Sequence, residues 1–134
     1  MNYNRYIKKR KKLIDEIKKS ITNEVDVLNY GFNIQNIDFT QIYKEDDVLM
    51  VVYNNSKNNY FLDIYIYIDY IKLDISQTKF TYTLYRKDKK EIDNYFSKNI
   101  NYADLQGNSI NEKINSLYYD INKQIELHLK NVRD

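Results

Sequence analysis

The sequence predicts an α+β domain: a long N-terminal helix, a four-stranded antiparallel β-meander and two C-terminal helices packed on the sheet. Apolar residues recur at helical steps near both ends of the chain, at Ile7, Ile14, Ile17, Ile21, Val25 and Leu28 and again at Ile110, Ile114, Leu117, Ile121 and Ile125. Between these stretches the period changes to two, most clearly in "FLDIYIYIDYIKLD" from Phe61 to Asp74. Short polar turns separate the alternating runs, so sequential strands pair as a meander.

The first helix is expected over about residues 3–29. Gly31 closes it, because a glycine just past the last periodic residue supplies the left-handed conformation of a C-terminal cap. Asn33 to Tyr43 alternates at Ile37, Phe39, Gln41 and Tyr43 and predicts a half-buried strand. After the polar turn Lys44-Glu45-Asp46-Asp47, "VLMVVY" from Val48 to Tyr53 is apolar on both faces, as an interior strand requires. The turn "NNSKNN", Asn54 to Asn59, leads into the third strand. A turn near Ser76 to Lys79 leads into the fourth, "FTYTLYR" from Phe80 to Arg86. Asp88 and Glu91 have the spacing of a capping box with Ile92, Tyr95 and Phe96 behind them, which predicts a helix. Ser109 and Glu112 repeat that signal ahead of a last helix running to about Val132. Residues 1–134 are expected to form a single domain, since 134 residues lie within the size of one hydrophobic core.

Composition narrows the chemistry. With 43% hydrophobic and 30% charged residues the chain has enough apolar surface to fold. It has no Cys, which excludes disulfides and thiolate metal sites. No apolar run approaches the roughly 18–20 residues of a membrane span. The opening "MNYNRYIKKRKKLIDEIKK" lacks the apolar core of a secretory signal, so a cytoplasmic location is expected. The net charge is +2, and it is uneven, with eight Lys/Arg against four Asp/Glu in residues 1–31. Asn, Ile, Lys and Tyr are residues of A/T-rich codons, so part of the count of 15 Tyr reflects base composition.

Two glycines, Gly31 and Gly107, cannot build a glycine-rich phosphate loop or dinucleotide fingerprint. His128 is the only histidine, which rules out paired-histidine zinc sites within one chain and leaves it a cap-side or solvent-facing position on the last helix. No nucleophile elbow surrounds any serine. One catalytic frame can be drawn, that of a metal-dependent nuclease. Asp69 or Asp74 would join Asp88 in holding Mg²⁺, and Lys90 would polarise a phosphate. Asp88 is better explained as a helix N-cap, and acid-x-Lys triplets are common in so charged a chain.

The basic block Lys8-Lys9-Arg10-Lys11-Lys12 is a candidate nucleic-acid contact, because phosphate neutralisation needs several cations presented together. Five consecutive residues wrap around more than one helical turn, and Asp15 and Glu16 can pair with Lys11, Lys12 or Lys19. A solvated helix face fits the same residues.

The third strand poses the main question. Leu62, Ile64, Ile66, Ile68 and Tyr70 form its core side, which leaves Phe61, Asp63, Tyr65, Tyr67, Asp69 and Ile71 on the other. Thr81, Thr83 and Tyr85 join this second face if Phe80, Tyr82 and Leu84 point inward. Tyrosine gives an interface large contact area and a hydroxyl at little entropy cost. A helix covering this face, or strand propensity alone, would equally account for the tyrosines. Base stacking on sheet aromatics is disfavoured by Asp63 and Asp69, which repel phosphates.

A compact α+β domain without Cys, Pro, cofactor loop or catalytic constellation, carrying a Tyr/Asp-rich sheet face, resembles in general style the small bacterial and phage proteins that bind and block another protein. Toxin-immunity proteins and phage-encoded inhibitors of host defence belong to this class. The resemblance implies a non-enzymatic inhibitor without cofactor or metal, with a protein partner held by Asp63, Tyr65, Tyr67, Asp69, Thr81, Thr83 and Tyr85. A nucleic-acid-binding module using Lys8, Lys9, Arg10, Lys11 and Lys12 is the alternative, and the metal nuclease a more remote one. A homodimer through the tyrosine face would occupy the same residues.

Overall fold

The computed structural model describes residues 3–23, 28, 31–40, 46–55, 59–69 and 71–129. The elements are α1 (Tyr3–Asn23), β1 (Asn33–Thr40), β2 (Asp46–Asn55), β3 (Tyr60–Asp69), β4 (Lys79–Asp88), β5 (Glu91–Asn101) and α2 (Ile110–Leu129), with 3₁₀ turns at Ile75–Gln77 and Tyr102–Asp104. The strands form one antiparallel sheet in the order β1-β2-β3-β4-β5. Among the described residues no helix is long and apolar enough to cross a membrane.

Helix α1 buries Leu13, Ile14, Ile17, Ser20 and Ile21, a stripe at helical spacing. Ile7, expected in that stripe, is 45% exposed. The expected continuation through Val25 lies outside the described residues. Leu28, expected inside the helix, is buried but not helical, so Gly31 takes the expected left-handed backbone at φ +72 without closing α1 directly.

The β2 strand is interior, and Leu49, Val51 and Tyr53 are fully buried. The β3 strand alternates buried and half-buried residues over its whole length. It ends at Asp69, short of the expected Asp74. The Asp69 Oδ1 accepts from the Ile71 and Lys72 N–H groups at 3.1 and 3.4 Å, and Leu73 takes φ +53. These local bonds bend the chain out of the ladder, because an aspartate can satisfy the following backbone as well as a neighbouring strand can. Asp74 then caps the 3₁₀ turn through the Ser76 N–H at 3.0 Å. Tyr70, Gln41 and Tyr43 lie outside the described residues.

The expected helix after Asp88 is instead a β-hairpin and a fifth strand. Asp88 pairs with Glu91 across the two-residue loop Lys89-Lys90, and Lys89 has φ +53. A positive φ at a central loop residue matches the twist of paired strands and is foreign to a helix start. Ser109 does cap a helix. Its Oγ accepts from the Glu112 N–H at 3.2 Å, and Glu112 Oε2 accepts from the Asn108 N–H at 2.8 Å. The buried stripe of α2 is Ile114, Leu117, Tyr118, Ile121, Ile125 and Leu129.

Both helices lie on one face of the sheet. Their buried residues join Leu62, Ile64, Ile66, Phe80, Tyr82 and Leu84 in one hydrophobic cluster, and Ser20 Oγ of α1 hydrogen-bonds Asn111 Oδ1 of α2. Burying each large side chain contributes roughly 1.5–3 kcal/mol, so this single layer dominates stability. Phe80, Tyr82 and Leu84 point inward as expected, which turns Thr81, Thr83 and Tyr85 to the other side.

Candidate partner-binding face

With both helices on one side, no described helix covers the opposite face. Register lays its side chains out in rows. Tyr65 sits between Met50 and Thr81, Asp63 between Val52 and Thr83, and Tyr67 between Val48 and Lys79. Six of the expected contact residues, Asp63, Tyr65, Tyr67, Thr81, Thr83 and Tyr85, therefore share one surface. Each is half-buried, because large neighbours on a flat sheet shield one another.

The face is internally bonded. Phe61 and Tyr85 stack with ring centroids 5.3 Å apart and planes at 12°. The Tyr85 hydroxyl donates to Asp63 Oδ2 at 3.1 Å, whereas Asp63 Oδ1 is buried with no hydrogen-bond partner among the described residues. Burial pushes the Asp63 carboxyl above its ordinary range, and the Tyr85 hydrogen bond opposes that shift. The phenols of Tyr65 and Tyr85 are pushed up by burial first and by the nearby Asp63 charge next. Both stay protonated at neutral pH and remain donors. Thr81 Oγ1 donates to Asn99 Oδ1 at 2.8 Å, and the Thr83 and Ser97 hydroxyls lie 3.0 Å apart.

Asp69 stands at the end of the face and holds the turn after β3. Ile71, counted with this face in the sequence, sits in that turn and is 62% exposed. Ser97 and Asn99 belong to the face and were hidden by the helix expected at their position. Their signal was the alternation of Phe96, Lys98 and Ile100 with Ser97 and Asn99.

The nuclease frame is not assembled. Asp69 and Asp74 flank the start of β4, while Asp88 and Lys90 lie at its far end. Ten residues of strand separate them by about 30 Å. Hydrogen bonds from the Ser76 hydroxyl and then its N–H hold Asp74 below the usual carboxylate range. Among the described residues, no three His, Asp or Glu side chains converge as metal ligands do. His128 sits in the last turn of α2, the cap-side position expected of it, and is half-buried with its ring 5.0 Å from that of Phe96 at 33°.

In the basic block Lys8, Lys9, Lys11 and Lys12 are exposed and Arg10 is half-buried, so the charges spread around α1. Lys9 Nζ reaches the Lys72 carbonyl at 3.5 Å. No protein family, curated protein or solved structure matches this chain.

Proposed function

We propose that this chain is a non-enzymatic protein-binding module that blocks a macromolecular partner with its uncovered sheet face, in the manner of toxin-immunity proteins and phage counter-defence inhibitors acting in the cytoplasm. The observation that supports it is the one-sided placement of α1 and α2, which leaves Asp63, Tyr65, Tyr67, Thr81, Thr83 and Tyr85 without a covering helix among the described residues. Two rings on this face, Phe61 and Tyr85, are already fixed by stacking, and Tyr85 also by its hydrogen bond to Asp63. Binding would then cost little side-chain entropy, which is the main expense of a tyrosine-rich contact. Asp69 contributes at the rim of the same surface.

The test is capture of the partner from the source cells by the tagged chain, with and without nuclease treatment, followed by Tyr65→Ala and Tyr67→Ala. A single protein retained after nuclease and weakened by about 2 kcal/mol or more in either variant supports the proposal. Circular dichroism of both variants checks that they remain folded. Unchanged binding in both folded variants rejects it. Capture of nucleic acid alone, lost on reversing the charge of Lys8, Lys9, Arg10, Lys11 and Lys12, would transfer the function to α1. Its salt slope would be roughly 0.7–0.9 per neutralised phosphate.

A further inference from the structure

Strand β5 is an outer strand and pairs with β4 on one side alone. In an antiparallel ladder alternate residues turn their N–H and C=O groups to opposite sides, so every second residue of β5 offers main-chain groups to no other strand of the sheet. Tyr95 is an extra residue between the Leu84–Phe96 and Tyr85–Asn94 pairs, and this bulge leaves Phe96 to Asn101 as the regular stretch. Six residues of strand span about 20 Å.

Alongside that stretch, on the helical side of the sheet, a cleft of about 1030 Å³ opens between β5, residues 104–107 and the flank of α2. Ile100 lines its apolar part, and the ring of Tyr119, 74% exposed, stands at its wall. Its charged groups are Lys98 against Asp104, Glu112 and Asp120. Lys98 Nζ lies 3.2 and 3.3 Å from the two Asp120 oxygens, and the Tyr82 hydroxyl donates to Asp120 Oδ2 at 2.5 Å. Lys98 and Asp120 neutralise each other, and Asp104 and Glu112 leave the cleft acidic.

We propose that the β5 edge and this cleft together take an extended peptide segment with basic side chains, which adds to the sheet beside Phe96 to Asn101 as a further strand. Main-chain hydrogen bonds to β5 supply the binding frame, and every second side chain of the added strand falls on the cleft side. A lysine or arginine there meets the excess carboxylates and the Tyr119 ring, which attracts a cation to its face. Tyr65 and Tyr67 are on the opposite side of the sheet, so this site stands independently of the partner-binding face.

The probe is an N-acetylated octapeptide alternating lysine and valine, titrated into the ¹⁵N-labelled full chain. Amide shifts are expected at Ser97, Lys98, Asn99, Ile100 and Tyr119, with slowed amide exchange along β5. The same peptide N-methylated at every second residue keeps its charge and loses strand pairing, and it should bind at least about tenfold more weakly. A glutamate–valine peptide should also fall by at least about tenfold, and Asp104→Asn with Glu112→Gln should weaken the lysine peptide several-fold with shifts elsewhere unchanged. Equal binding of the N-methylated or glutamate peptide, shifts centred away from β5, or no shift at Ser97 to Ile100 at millimolar peptide overturns the proposal.

Discussion

The Tyr85 hydroxyl on β4 donates to Asp63 Oδ2 on β3 at 3.1 Å, while the other oxygen of the same carboxylate is buried and has no hydrogen-bond donor among the described residues. A carboxylate so placed is an unfavourable charge in the folded chain, because burial removes water that one phenol only partly replaces.

This relationship sets a pH dependence. Asp63 is raised above 3.8, so between the unfolded value and the higher folded one the native chain keeps a proton that the unfolded chain has released. Its contribution therefore makes stability fall as pH rises across that window. Asp63→Asn stays neutral and still offers Tyr85 an acceptor. Urea unfolding should show the variant gaining on the wild type at neutral pH relative to acid below 3.8. A constant difference at both pH values would remove Asp63 as the cause. Tyr85→Phe deletes the opposing hydrogen bond and should move the Asp63 carboxyl higher still, as read by ¹³C shifts during a titration.

The α1 stripe makes a contrast between two isoleucines. Ile17 is 1% exposed and packed in the core, whereas Ile7 is 45% exposed. Ile17→Ala should cost about 2–5 kcal/mol through lost burial and the cavity left behind. Ile7→Ala should stay within about 0.5 kcal/mol. Denaturant midpoints measure both, and similar losses would mean that α1 packs through a different face.

Ser109 Oγ satisfies the first-turn N–H of Glu112 in α2, and Glu112 Oε2 reaches back to the Asn108 N–H ahead of the helix. Ser109→Ala should destabilise by roughly 0.5–2 kcal/mol, since the Glu112 N–H then loses its side-chain acceptor. Chemical unfolding of the variant checks this, and no loss would show that water replaces the cap fully.

Strands with one fully buried face were the most legible part of the sequence. Leu62, Ile64, Ile66 and Ile68 alternate without interruption, which fixed both the strand and the face of Asp63, Tyr65 and Tyr67. The contact between Asp63 and Tyr85 was not legible, because it depends on the register between β3 and β4 and not on either strand alone. Residues 88–101 misled for two physical reasons. Asp-x-x-Glu is a four-residue signal that a charged two-residue hairpin also produces, and the bulge at Tyr95 breaks the period of two where Tyr95 and Phe96 sit side by side. Losing β5 also removed Ser97 and Asn99 from the face.

The backbone at Lys89 separates the hairpin from the helix by an ordering of substitutions. At φ +53 a side chain with a branched Cβ is strained and glycine is not. Lys89→Val should therefore lose about 1 kcal/mol or more, and Lys89→Gly should be near neutral or slightly stabilising, because relief of left-handed strain offsets the entropy glycine adds to the unfolded chain. In the first turn of a helix the order reverses, with glycine worse than valine by a few tenths of a kcal/mol. Thermal unfolding of the two variants side by side decides it. A glycine variant less stable than the valine variant would restore the helix at Asp88 and take β5, with its edge and its share of the open face, out of the fold.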